Sequence, residues 1–299
     1  MKLCLGTVQF GMDYGIRGGN KPPLRDAIAM LDYATHNGVD AIDTAVAYGD
    51  SESVVGEFLK HRSVPRDRLF IVSKFGLSRS PSGRCTLRDA TYIGKQLDES
   101  LQRLHTDYVD AYVCHDASAV GDPVVIESML KMKSSGKVRH IGFSVYEPED
   151  AVESSKVNGI DFVQLPFSIF DQRMASEGVL PRLSDGGVDI HSRSAFVQGL
   201  VLMSEDEVPS CLARVKPYVA LFQKSCRDFG VSPRTVAMAF VKKRHEISHL
   251  VFGVDNMAQL AENISSFNAD VPAATIDEIA RILVGIPPEL VMPNKWRAR

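Results

Sequence analysis

Short apolar runs rich in β-branched residues recur along the chain, and segments of helical period separate them. Lys2 to Leu5 opens the series. Val39 to Asp43, Leu69 to Ser73, Tyr108 to Val113, Val138 to Phe143, Asp161 to Leu165, Val188 to Ser192 and His249 to Phe252 follow. Runs that are apolar throughout suit parallel strands covered on both faces. Between them, Leu24 to His36 sets Leu24, Ile28, Leu31 and Ala34 on one stripe, and Leu87 to Leu104 does the same with Ile93, Leu97, Leu101 and Leu104. Asp122-Pro123 and Ser232-Pro233 read as a cap followed by a first-turn proline, and Glu147-Pro148-Glu149 opens another helix. Val215 to Phe229 and Ser232 to Lys243 form a last pair divided by Gly230.

Eight strands alternating with helices predict an α/β fold, a (β/α)8 TIM barrel. Residues 1–299 are expected to form one barrel domain with rim loops and a C-terminal tail. The alternative, a doubly wound sheet, usually carries G-x-G-x-x-G after its first strand, and that motif is absent.

Composition narrows the function classes. The 299 residues hold 34 basic and 37 acidic side chains, a net charge of −3. This argues against a basic field for nucleic acid. No apolar run approaches the roughly 20 residues of a membrane span. Met1 to Met12 is too short and too interrupted by glycine for a signal peptide. The five cysteines, Cys4, Cys85, Cys114, Cys211 and Cys226, make an odd count without C-x-x-C, as expected of reduced thiols in a cytoplasmic protein.

In a barrel of this kind the active groups stand at the carboxyl ends of the strands. The second run ends at Asp43 and its loop carries Tyr48. The third ends at Lys74 and the fourth at His115. Each alone has an ordinary reading as a cap, a solvated side chain or a structural histidine; together they form a chemical set. A phenol has a reference pKa of about 10, and a nearby ammonium is expected to lower it. A carboxylate keeps that ammonium charged, and the histidine donates to a substrate oxygen. The set suits carbonyl reduction, with Tyr48 as proton donor and a cofactor as hydride source.

These residues sit in stretches that resemble the aldo-keto reductase family: LGTVQFG, DTAVAYGDSE, FIVSKFG, LDESLQRLHTDYVDAYVCHD, KVRHIGFS, FVQLPFS and FGVDNMAQLAENI. The resemblance runs along nearly the whole chain. It implies Tyr48 as general acid, Lys74 as its tuning group, Asp43 as the partner of Lys74, and His115 as the group that orients the carbonyl. It also implies a nicotinamide cofactor. Thr7 joins the cofactor-binding set. Ser144 and Gln164 would hold the carboxamide, and Arg193 replaces the family's frequent aromatic stack. Ser194, Phe196, Gly199 and Leu200 would line the pyrophosphate path, and Gly253, Gln259, Glu262 and Asn263 would meet the adenosine end.

Three departures stand out. Val145 and Ser168 replace common asparagines, and Gly253 and Gln259 stand where NADP-preferring members often carry Lys and Arg. The family habit points to NADPH, with NADH possible because Asp255 would repel a 2′-phosphate. The expected partner is a small aldehyde, ketone or sugar, with neither nucleic acid nor membrane. A nucleotide-binding regulatory protein with little turnover, as potassium-channel β subunits are, is the alternative. A Schiff-base lyase using Lys74 is a third reading that the Tyr–His companions disfavour.

Other signals are set aside. His245-Glu246-Ile247-Ser248-His249 matches H-E-x-x-H, but its second histidine opens a strand, so no metal is expected. Cys114 and His115 are adjacent strand residues facing opposite ways, which argues against a thiol nucleophile. Arg17, Arg79, Arg84 and Arg88 lie in polar loops that could meet an anionic substrate. Trp296 lies in a tail that either covers the barrel mouth or packs on a helix.

Overall fold

A computed structural model describes residues 1–16, 18–79, 85–87 and 89–296. Eight parallel strands close a barrel: β1 Lys2–Gly6, β2 Val39–Asp43, β3 Phe70–Phe75, β4 Val109–Cys114, β5 Val138–Ser144, β6 Phe162–Pro166, β7 Asp189–Arg193 and β8 His249–Gly253. Each pairs with its chain neighbours, and β8 closes on β1 in a five-residue register from Lys2–His249 to Gly6–Gly253. This is the (β/α)8 TIM barrel that the alternation predicts. A two-stranded antiparallel hairpin, Ser78–Arg79 with Cys85–Leu87, follows β3.

Most strands run one or two residues further than their apolar runs. Among the extra residues, Lys74, Ser144 and Arg193 are polar, as suits the carboxyl rim of a barrel, where side chains can turn toward a site instead of a core. The strand interior is filled by side chains such as Cys4, Ala41, Val72, Ala111, Val113, Phe162 and Val251. The outer core lies between barrel and helices.

The helices follow the periodicity with three corrections. Leu24–His36 buries Ala27, Met30, Leu31 and Ala34, so its apolar face is rotated and Leu24 is exposed. The predicted helix from Leu87 starts at Ala90, because Asp89 caps it by accepting from the Thr91 amide at 2.8 Å. Ser232 precedes the helix Pro233–Lys242 without a side-chain capping bond. Asp122 caps Pro123–Ser134 as expected, accepting from the amides of Val124 and Val125.

The tail reaches the carboxyl end of the barrel. Lys295 pairs with Glu147, just beyond β5, at 2.7 Å, and Trp296 packs partly buried against the core. Among the described residues no helix is long and apolar enough to cross a membrane.

Candidate active site

The loop after β2 is held by a close backbone approach. A Cβ on Gly11 would stand 1.7 Å from the Tyr48 carbonyl oxygen, so only glycine fits there. Gly49 follows at a left-handed φ of 56°, and its own Cβ would meet Gly11 O at 2.4 Å. This pair of glycines seats the loop that carries Tyr48.

Asp43 and Lys74, at the ends of β2 and β3, meet inside the barrel. Lys74 is fully buried, and its Nζ donates to Asp43 Oδ1 at 2.6 Å, to the Thr44 carbonyl at 2.9 Å and to Tyr48 Oη at 3.4 Å. Asp43 Oδ2 accepts from Gln164 Nε2 at 2.7 Å. Burial pushes the Lys74 ammonium below its ordinary pKa, and Asp43 opposes that shift. Thr7 supports the pair. Its hydroxyl donates to the Asp43 carbonyl at 2.9 Å and shares a bond with Ser51 Oγ, which also meets Thr44 Oγ1 at 2.8 Å. The Thr7 hydroxyl is therefore engaged within the protein.

The Tyr48 phenol departs from expectation. Burial raises its pKa well above the usual value, and the Asp43 carboxylate adds to the rise. The Arg193 guanidinium opposes the rise without overcoming it. His115 lies edge-on to Tyr48, with ring centroids 5.6 Å apart. Burial first, then the charges of Lys74 and Arg193, push the imidazole down to about 3. Near neutral pH the rim therefore presents a protonated phenol and a neutral imidazole.

An unfolded histidine titrates near 6.5, so the folded chain binds fewer protons between about pH 6.5 and 3. Stability is expected to fall as pH drops through that window, by up to about 1.4 kcal/mol per pH unit from His115. Urea unfolding across pH, wild type beside His115→Gln, measures it. The variant should lose that part of the slope, and an unchanged slope would exclude His115 as its source.

A cleft of about 390 Å³ opens beside this group. Thr7, Asp43, Tyr48, His115, Arg193, Ser194, Phe196, Gly199, Gly253, Gln259 and Asn263 line it. Ser144 and Gln164, register partners on β5 and β6, are buried and not among its lining, and among the described residues the Ser144 hydroxyl has no hydrogen-bond partner. Leu200 does not reach the cleft. It begins the turn Leu200–Leu202, which points Leu200 into the core and gives the cleft to Leu202. Glu262 also lies outside it, exposed and paired with Arg234 at 3.0 Å. Arg193 donates to the Val145 carbonyl at 2.9 Å and stacks one guanidinium face on Tyr146 at 4.1 Å. The stretch after it is strained: Ser194, Val197 and Gln198 all have left-handed φ, followed by Gly199. Each such non-glycine residue costs about 1 kcal/mol or more, and such strain gathers at ligand clamps.

Residues missed in the sequence complete the cleft. Arg234 lines it and donates to Asn263 Oδ1 at 2.5 Å. Its signal was its place in the first turn of the helix after Ser232-Pro233. Tyr14 and Gln198 meet across it, with Gln198 Nε2 donating to the Tyr14 hydroxyl at 3.0 Å. At the far end Gln259 folds onto Asp255, accepting from its amide at 2.9 Å and donating to its carboxylate at 3.3 Å. Val145 is buried, and Ser168 Oγ accepts from the amides of Phe170 and Asp171, so both replace asparagine with side chains turned inward. Arg17, Arg84, Arg88 and the side chain of Arg79 lie outside the described residues.

The sequence profile of the Aldo/keto reductase family matches residues 2–284. The chain is 26% identical over 281 residues to the NADH-specific methylglyoxal reductase of Escherichia coli K12, covering 82% of this chain and 85% of that protein. It is 27% identical over 278 residues to L-galactose dehydrogenase of Arabidopsis thaliana, covering 86% and 84%. In fold it is similar to an aldo-keto reductase from Bacillus halodurans in its holo form. That likeness has a TM-score of 0.77 and 22% identity, over 99% of this chain and 95% of that one. The chain belongs to the aldo/keto reductase family of oxidoreductases.

Proposed function

We propose that the protein reduces an aldehyde, ketone or sugar carbonyl to the alcohol with a reduced nicotinamide cofactor, Tyr48 being the general acid. The observation that carries this reading is the buried Lys74 ammonium joined to both Asp43 and the Tyr48 hydroxyl, beside a neutral His115. Residues in the cleft and buried beside it suit the cofactor. The unpartnered Ser144 hydroxyl can bond a carboxamide, and Gln164, its amide held by Asp43, offers its carbonyl oxygen. The free face of Arg193 can stack on a flat ring. The left-handed stretch at Ser194, Val197, Gln198 and Gly199 suits a pyrophosphate.

When bound, the reduced nicotinamide supplies the hydride to the carbonyl carbon. Tyr48 gives its proton to the carbonyl oxygen as negative charge builds there. Its raised pKa keeps it protonated until that moment. Lys74, held by Asp43, then meets the developing phenolate. His115 donates from a ring nitrogen to the same oxygen and fixes its direction. Steady-state loss of reduced cofactor with a panel of aldehydes, ketones and sugars tests the reading. Turnover supports it. Tight cofactor binding with no turnover would favour a regulatory protein instead.

For the cofactor, the family habit gives NADPH with NADH possible. We infer NADH as the preferred form. The Asp255–Gln259 pair places a carboxylate, not a cation, at the adenosine end, and Arg234 is already paired with Glu262. A carboxylate suits ribose hydroxyls and repels a 2′-phosphate. The related Escherichia coli reductase is described as NADH-specific, in keeping with this. Fluorescence titration should give NADH about tenfold or more tighter binding, a difference of about 1.4 kcal/mol. Gln259→Arg should narrow the gap. Equal or tighter NADPH binding by the wild type would refute the preference.

A further inference from the structure

The amino-terminal end of the barrel, opposite the cleft, holds a cluster that the reductase reading does not use. His191 and His249 are register partners on β7 and β8, with rings 4.3 Å apart. Asp189 lies two residues before His191 on β7, and so on the same side of that strand. One donor atom from each of these three residues falls within 4.8 Å of the others.

His191 is fully buried, and among the described residues neither ring nitrogen has a hydrogen-bond partner. Its Nε2 stands 3.8 Å from Asp189 Oδ2. His249 Nε2 faces Asp40 Oδ1 in a loose ion pair of 3.4 Å, and the other oxygen of Asp40 pairs with Lys2. Leaving a buried polar group unsatisfied costs about 1–3 kcal/mol, and the His191 ring carries two such nitrogens.

We propose that this end of the barrel is a site for a divalent transition-metal ion of the zinc class, bound by Asp189, His191 and His249. Two imidazoles and one carboxylate form a donor set that zinc takes readily, and a fourth position is left for water or Asp40. Bonds of about 2.0–2.2 Å in a tetrahedron put ligand atoms roughly 3.4 Å apart, so small side-chain rotations close the cluster.

A supporting shell is present. Ser248 Oγ donates to Asp189 Oδ1 and lies 3.0 Å from His249 Nδ1. Phe70 and Phe162 wall the site, 5.4 Å and 4.6 Å from the His191 ring. The partly exposed side chains of Asp189 and Asp40 give an ion its way in. The metal has a structural use here. Only two register pairs, His249–His191 and Leu250–Ser192, join β7 to β8, against five between β1 and β8. The ion ties this short seam. Spacing along the chain sets His249 beside His245, which is exposed, whereas strand register sets it beside His191.

The test is calorimetric titration of the EDTA-stripped full chain with ZnCl2, together with Co2+ absorption spectra. Wild type should bind one equivalent and show the visible bands of tetrahedral Co2+. Asp189→Asn keeps an acceptor for Ser248 and should weaken zinc by about 100-fold. His191→Phe should do the same and lose the Co2+ bands, with circular dichroism confirming that both variants fold. Absence of binding by wild type, or zinc affinity unchanged in both variants, overturns the proposal.

Discussion

Tyr48→Phe will lower kcat for carbonyl reduction by about 10²–10⁴-fold while leaving cofactor affinity within about twofold, the range set by loss of a positioned proton donor. The change deletes one oxygen from a buried site. Lys74 keeps its bonds to Asp43 and to the Thr44 carbonyl, so its charge stays satisfied and the fold is retained. The far end of the cleft, with Asp255, Gln259 and Asn263, lies on the loop and helix after β8, apart from the β2 loop that carries the phenol. A loss confined to kcat, with binding kept, therefore isolates proton donation. Stopped-flow turnover beside a cofactor titration measures both. Undiminished kcat would mean that Tyr48 is not the acid.

Asp43→Asn carries the second large effect, on stability. The substitution keeps the shape of the side chain and removes its charge, which leaves the fully buried Lys74 ammonium without a counter-ion. Breaking a buried pair in this way costs about 3–5 kcal/mol. The double variant Asp43→Asn with Lys74→Met removes the stranded charge as well. Replacing a buried pair by apolar volume is often close to neutral, so the double variant should recover most of the loss yet stay inactive. Urea unfolding of the single and double variants gives the coupling energy. A loss under about 1 kcal/mol in the single variant would mean that the pair contributes little.

The barrel was legible because its strands are covered on both faces and so read as continuous apolar runs. That Asp43, Tyr48, Lys74 and His115 come together was legible because all four stand where those runs stop, at one rim of the barrel. What the chain hid were contacts that depend on side-chain direction. Leu200 and Leu202 differ by about two-thirds of a turn, and only the folded turn decides which one faces the cleft. Arg234 stands in the first turn of a helix, and only the fold turns it into the cleft. Gln198 meets Tyr14 from the other end of the chain. The direction of the Tyr48 pKa is hidden for a related reason: the sequence names Lys74 and Asp43 but not how deeply the phenol is buried. His191 and His249 pair only through strand register, which spacing along the chain does not reveal.

The measurement that bears most directly on the central claim is isotope transfer. Reduction of an accepted carbonyl with nicotinamide cofactor deuterated at the transferable C4 position should place one deuterium on the carbinol carbon, read by mass spectrometry of the alcohol. Product without deuterium, or cofactor consumed without alcohol, would contradict direct hydride transfer at the Tyr48 site.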